Sequence, residues 1–235
     1  ESGRRIRERR GAADPIAANN VLAHVPEIHD FVAGFRELMK PEGVTTFEFP
    51  HLMRLIEFNQ FDTIYHEHFS YLALGPLGQI FAAQNLRLFD VEELPTHGGS
   101  LRLFVCHQDA AHGESPAVAA MLQQEKDAGL KDLATYRNFG ANIITIKDAV
   151  ITFLVEARRA GKSVAAYGAA AKGNTLINYC GMGPDHITFV VDRNPTKQGR
   201  LMPGSRIPVY DVDAVSRHKP DYLIILPWNL RDEIS

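Results

Sequence analysis

Ser163-Val164-Ala165-Ala166-Tyr167-Gly168-Ala169-Ala170-Ala171-Lys172-Gly173-Asn174-Thr175 is the stretch on which the reading of this chain turns. An apolar run of strand character passes through a turn of small residues, and a helix is expected from there through Tyr179. Residues 187–191 form a second expected strand ending in Asp192, and residues 222–226 a third, followed by Pro227-Trp228-Asn229. Strands separated by helical stretches point to an α/β fold with a parallel sheet. A small-residue turn from strand into helix lets backbone amides approach a phosphate, and the helix dipole adds attraction. Gly168 and Asn174 belong to that turn, and Lys172 would neutralise charge there. Asp192 stands where a ribose hydroxyl is often held. Trp228 and Asn229 would share the same rim and add stacking and hydrogen bonds. The glycine spacing is neither GxGxxG nor a P-loop, so nucleotide or phosphate binding competes here with simple close packing of strand on helix.

Outward toward the N-terminus, residues 14–20 read as a short buried strand with a polar end, after a charged helical piece at residues 2–10. Residues 28–39 carry Phe31, Val32, Phe35, Leu38 and Met39 at helical spacing, Lys40-Pro41-Glu42-Gly43 stops them, and residues 44–49 alternate like a strand. Strand, helix and strand in this order predict a right-handed parallel unit. A helix over residues 78–85 and two strands, 86–92 and 101–107, come next. The paired glycines in Thr96-His97-Gly98-Gly99-Ser100 suit a hairpin loop. The same bare amides, with His97 and Ser100, would equally contact an anion. Residues 109–115 are small and polar and mark the expected boundary between a first domain, 1–108, and a second, 109–235. Residues 116–159 read as one long helical region, broken near Gly140.

The chemistry concentrates in Phe61-Asp62-Thr63-Ile64-Tyr65-His66-Glu67-His68-Phe69-Ser70-Tyr71. Two imidazoles, a carboxylate and two phenols within seven positions suit an acid/base site, whose pKa values are tuned by burial and by one another. A helix would put Tyr65 and His68 on one face; an extended chain would pair Tyr65 with Glu67. This stretch follows the second expected strand, while Asn19, Asn20 and His24 follow the first. Ligands of open α/β sheets gather at the carboxyl ends of strands, so the two groups are expected on one rim. His66, Glu67 and His68 are too close together to wrap a metal ion without ligands from elsewhere, and no metal site is expected.

Composition narrows the field. The 235 residues fit one large or two small domains, and 45% hydrophobic with 23% charged residues is ordinary for a globular chain. A net charge of −3 gives no reason to expect nucleic acid. No apolar run is expected to approach the length of a membrane span. The two cysteines, Cys106 and Cys180, have no CxxC partner, so a reducing cytoplasm is the default expectation.

Taken together, several of these stretches resemble one family. Asn19-Asn20-Val21-Leu22-Ala23-His24-Val25-Pro26 is similar to the fourth-strand region of class I S-adenosylmethionine-dependent methyltransferases. With Tyr65 to Tyr71, His97-Gly98-Gly99-Ser100-Leu101-Arg102, the Gly168 to Asn174 turn, Val191-Asp192-Arg193-Asn194 and Leu226-Pro227-Trp228-Asn229, the set resembles the C-methyltransferases that act on nucleotide-linked 4-keto-deoxysugars. The resemblance implies part of a Rossmann-like cofactor domain followed by a second Rossmann-like α/β domain that binds the sugar nucleotide. It implies S-adenosyl-L-methionine as cofactor, contacted through Asn19, Asn20 and Leu22, and functional weight for Tyr65, Glu67, His68 and His24. It also implies that Gly168, Lys172, Asn174, Asp192, Asn229, His97 and Ser100 serve the nucleotide-linked keto-sugar. A zinc module and the Gly-rich cofactor loop of that family have no counterpart here, and the chain reads as the C-terminal two-thirds of such an enzyme. Within that reading His68 is the expected base, Tyr65 the donor to the keto or enolate oxygen, and Glu67 the group that orients His68 or holds a sugar hydroxyl. Two rivals are a nicotinamide-dependent oxidoreductase of nucleotide sugars, which the missing fingerprint glycines disfavour, and a nucleotide-sugar-binding remnant without catalysis.

Overall fold

The computed structural model describes residues 2–234, which divide into two compact units. The first contains Glu1–Phe58 and His66–Arg137; the second contains Asn59–Tyr65 and Asn138–Ser235. The chain therefore leaves the first unit at residue 58, returns at 66, and leaves again within a helix. Residues 109–115, the boundary expected from composition, lie inside the first unit.

The first unit runs α1 (Ser2–Arg10), β1 (Ala13–Asn19), α2 (Ile28–Leu38), β2 (Met39–Pro50), α3 (Leu52–Glu57), α4 (Leu74–Ala83), β3 (Leu86–Leu94), β4 (Ser100–His107) and α5 (Pro116–Asp127). Its sheet has the order β1-β2-β4-β3. β1 and β2 are parallel, as the crossover through α2 predicts, and β4 pairs antiparallel with both β2 and β3. Phe47 of β2 is fully buried, and α2 and α4 both reach it: its ring lies 4.9 Å from Phe35 and 5.4 Å from Phe81. Around these rings Leu22, Val32, Leu74, Leu77, Leu101 and Leu103 complete the core. α4 begins at Leu74, earlier than expected, because Pro76 falls in its first turn, where a helix needs no N–H from it.

The long helical region breaks at residues 128–132, not at Gly140. Leu130 N returns to Glu125 O and closes α5, whereas a side chain at Gly140 would meet nothing within 4 Å, so that glycine sits on the open face of an unbroken helix. That helix, α6 (Leu133–Arg159), corrects another expectation. Its 27 residues reach a mean hydropathy of 1.3 over an 18-residue window, long and apolar enough to match a membrane span by length and composition. Arg137, Lys147 and Asp148 interrupt its apolar residues, which is why no continuous run stands out in the sequence. Toward its end Leu154 and Ala157 are buried in the second unit's core, with Val150 and Ile151 packed against them.

The second unit continues with β5 (Val164–Tyr167), α7 (Ala171–Cys180), β6 (Val190–Val191), β7 (Val209–Tyr210), α8 (Ala214–His218), β8 (Tyr222–Ile225) and α9 (Arg231–Ile234). Its four strands are all parallel, in the order β7-β6-β5-β8. A fully parallel sheet is covered on both faces, which accounts for the near-complete burial of Val164, Ala165, Ala166, Val190 and Val191.

Candidate active site

In the first unit, the candidate residues gather where β1 ends. Asn19 closes β1 and is exposed. Asn20 extends the ladder by donating its N–H to Glu48 O at 2.8 Å, then turns the chain with φ of 54°. Its side-chain Oδ1 is buried and meets no donor among the described residues. A 3-10 turn, Leu22–His24, follows. Leu22 is fully buried in the core, so its side chain packs beneath the turn.

The turn at residues 22–24 and the segment after residue 65 are tied together. Ala23 O accepts hydrogen bonds from Phe69 N at 2.9 Å and Ser70 N at 3.2 Å. His24 Nδ1 lies 2.8 Å from Glu67 O. The His24 and His68 rings are 4.8 Å apart at 48°, and Tyr71 meets His68 edge-on at 6.1 Å. The expected shared rim thus holds for residues 66–71 with His24. The segment is neither helical nor extended, so neither face pattern predicted for it applies. Glu67 is exposed, and the contact recorded here with His24 runs through its backbone carbonyl. Tyr65 is half-buried and belongs to the second unit.

His97 is exposed and adopts φ of 56°, with Gly98 and Gly99 also at positive φ. The glycines adopt this conformation freely, so the strain of the turn sits at His97. Ser100 is buried, and its hydroxyl donates to Thr96 O at 2.9 Å.

In the second unit the expected strand–turn–helix is present, but its polar groups are more committed than the sequence suggests. Asp192 Oδ2 accepts from Ala169 N at 2.8 Å and from Lys197 Nζ at 3.2 Å, and its Oδ1 accepts from Asn194 N at 2.8 Å. The acid therefore braces the turn. Lys197 also donates to Ala169 O at 2.8 Å; it is a cation at this turn that the sequence reading missed. Asn174 Oδ1 accepts from Asn178 Nδ2 at 3.1 Å. Gly168, at φ of 93°, and Gly173 are glycines because a Cβ would lie 2.5 Å from Pro227 and 2.7 Å from Leu226, respectively.

Lys172 does not project freely from the helix start. Its ammonium is buried and meets no hydrogen-bond acceptor among the described residues; it lies 5.3 Å from the centre of the Trp228 ring. Trp228 Nε1 donates to Asp62 Oδ2 at 2.8 Å, while Asp62 Oδ1 is buried and meets no donor among the described residues. Burial pushes the Asp62 carboxyl above its usual range, against the Trp228 hydrogen bond and the charge of Lys172. Burial likewise pushes Lys172 down, against the charge of Asp62. Phe61 packs on Tyr179 at 5.3 Å, so the 3-10 turn Phe61–Thr63 is seated on α7. Asn229, half-buried, lies in the 3-10 turn Trp228–Leu230 beside this cluster's tryptophan. No local signal links Asp62 to Trp228, which is 166 residues away.

A family model described as the C-methyltransferase C-terminal domain matches residues 95–235. The C-methyltransferase NovU of Streptomyces niveus is 39% identical over 234 residues, covering 100% of this chain and 56% of that protein. The chain thus spans little more than half the length of that relative. Among solved structures, the magnesium protoporphyrin IX methyltransferase ChlM of Synechocystis PCC 6803 with bound SAH aligns with 41% of this chain and 45% of its own at 12% identity, TM-score 0.33. The Burkholderia thailandensis 1,6-didemethyltoxoflavin-N1-methyltransferase aligns with 41% of this chain and 44% of its own at 15% identity, TM-score 0.32.

Proposed function

From its membership of the C-methyltransferase family, whose C-terminal domain it carries, we propose that this chain works in the transfer of a methyl group from S-adenosyl-L-methionine to carbon. The acceptor is a carbon next to the keto group of a nucleotide-linked deoxysugar. When bound, the cofactor supplies an electrophilic methyl group. The residues present fit one edge of it: Asn20 Oδ1, buried and unpartnered at the end of β1, is an acceptor suited to an amino or hydroxyl donor, with Asn19 exposed beside it.

Carbon accepts a methyl group only once it is nucleophilic, and a neighbouring ketone makes this possible by giving an enolate when a base removes the adjacent proton. His68 is that base. Tyr65 donates to the keto oxygen and steadies the enolate, and Glu67 holds a sugar hydroxyl. His24 assists from the turn facing His68. The Gly168 to Asn174 turn, with Asp192, Asn229, His97 and Ser100, serves the sugar nucleotide.

The observation that carries this reading is the His24–His68 pair, with rings 4.8 Å apart. The two rings stand close enough to address one ligand, each with a nitrogen that can take a proton when the imidazole is neutral. The test is His68→Phe in the full-length protein, given a nucleotide-linked 4-keto-deoxysugar in deuterated solvent. Cofactor binding should be unchanged, and deuterium incorporation at the carbon next to the ketone should fall by at least about 100-fold. Exchange and turnover at the unsubstituted rate would remove His68 from the role of base.

A further inference from the structure

Glu125 lies on α5 with 6% of its surface exposed, and the reaction above gives it no part. Its Oε1 accepts from Leu74 N at 2.5 Å and from His51 Nε2 at 2.9 Å, and its Oε2 accepts from Gly75 N at 3.0 Å. Leu74 and Gly75 open α4, whose own N-cap residue, Ala73, supplies no side-chain acceptor. Glu125 therefore caps a helix 50 residues away, and its negative charge meets the positive end of that helix. His51, 1% exposed, completes the set. A carboxylate accepts, so Nε2 carries the hydrogen and Nδ1 faces no donor among the described residues.

His51 is also a backbone junction. Its N–H donates to Gly99 O at 3.0 Å, within the strained His97–Gly99 turn. It pairs with Leu72 in a parallel bridge, and Leu52 N donates to Leu72 O at 2.9 Å. The segment from His66 to Tyr71 is therefore held at Glu67 by His24, at Phe69 and Ser70 by Ala23 O, and just past Tyr71 by the His51–Leu72 bridge and by Glu125 on the Leu74 and Gly75 amides. An apolar pair of similar volume would pack these helices as well, because a buried charge recovers its desolvation cost only through its donors. What the polar pair adds is direction.

We propose that His51 and Glu125 are positioning residues: the hydrogen bond between them fixes where the segment carrying His68 is anchored, and so sets the approach of that imidazole to its substrate. The proposal rests on the reading of His68 as base.

Two substitutions and two readouts test it in the full-length protein. His51→Gln keeps an N–H near the position of Nε2, and His51→Leu removes it. With a nucleotide-linked 4-keto-deoxysugar, His51→Leu should lower kcat about 10- to 100-fold with KM for the sugar nucleotide within about 2-fold, the signature of misplacement by a fraction of an ångström. His51→Gln should recover most of that loss. In the free protein, with ring-labelled histidine, the NMR ring resonances of His24 and His68 at a fixed pH should move in His51→Leu and return in His51→Gln. This second readout needs no substrate, so it stands even if no keto-sugar is turned over. Ring resonances and kcat unchanged in His51→Leu, or losses equal in the two variants, or losses that follow only the unfolded fraction, would overturn the proposal.

Discussion

The Nδ1 nitrogen of His24 lies 2.8 Å from the carbonyl oxygen of Glu67. A carbonyl only accepts, so the hydrogen is on Nδ1, and Nε2 of a neutral His24 keeps its lone pair. His24 thus pins the segment carrying His68 with one nitrogen and keeps the other for a proton. The two functions separate by substitution. Asparagine places an amide N–H near Nδ1, whereas alanine provides neither group. His24→Asn should preserve the segment and lose the proton-accepting nitrogen, while His24→Ala should lose both. Exchange of the sugar proton should fall about 10-fold or more in His24→Asn and further in His24→Ala. Equal rates in the two variants would show that the hydrogen bond to Glu67 contributes nothing.

Glu125 makes a prediction about acid. Burial alone would push its carboxyl up, but the His51 hydrogen bond and the Gly75 and Leu74 amides outweigh that and hold it below the usual range. A depressed carboxyl pKa contributes stability that is present above the unfolded value, about 4.3, and is lost as pH falls through the folded value. Glu125→Gln should therefore lose less stability than the unsubstituted protein as pH drops below about 5, read as the denaturant midpoint at each pH. Glu125→Ala, which strands His51 and two helical amides, should cost about 3 to 5 kcal/mol near neutral pH.

Asp62 makes the opposite one. Its carboxyl is raised by burial, so its contribution is full below the unfolded value, about 3.9, and is lost as pH rises through the folded value. Asp62→Asn cannot ionise, and its stability relative to the unsubstituted protein should improve from about pH 4 to about pH 7. Trp228→Phe removes the indole donor to Oδ2 of this buried carboxyl, which should cost about 1 to 3 kcal/mol in equilibrium unfolding.

Gly173 tests whether the turn before α7 is built for close packing. A methyl group there would lie 2.7 Å from Leu226 Cβ. Gly173→Ala should cost about 1 to 3 kcal/mol by overpacking, visible as a lower melting temperature with or without sugar nucleotide. A melting temperature equal to that of the unsubstituted protein would show that α7 shifts freely to make room.

Local pattern revealed what is local. The spacing of Phe31, Val32 and Phe35 located α2, the alternation after Gly43 located β2, and the small-residue run after Tyr167 located the entry to α7. β2 and α4 both begin earlier than expected, at Met39 and Leu74: Lys40-Pro41-Glu42-Gly43 reads as a stop yet lies within β2, and α4 takes Pro76 into its first turn. Gly140 misled for the converse reason: a glycine interrupts a helical pattern on paper but costs little on an open helix face. The meeting of His24 with the His66 to Tyr71 segment was legible because both follow strands at one edge of the sheet. The Glu125–His51 and Trp228–Asp62 pairs were not, because 74 and 166 residues separate their members and no spacing rule reaches that far. Position alone makes Lys172 and Asp192 candidate ligand groups; their contacts with Trp228 and Ala169 join residues that no local spacing connects.

The excursion of Asn59–Tyr65 from one unit into the other means that neither unit is a contiguous length of polypeptide. Shuffling halves between homologous parents at a single crossover in α6 would therefore draw Asp62 from one parent and Trp228 from the other. Functional hybrids should be recovered mainly when the short insert from 59 to 65 travels with the C-terminal donor, a linkage that recombination libraries can count directly.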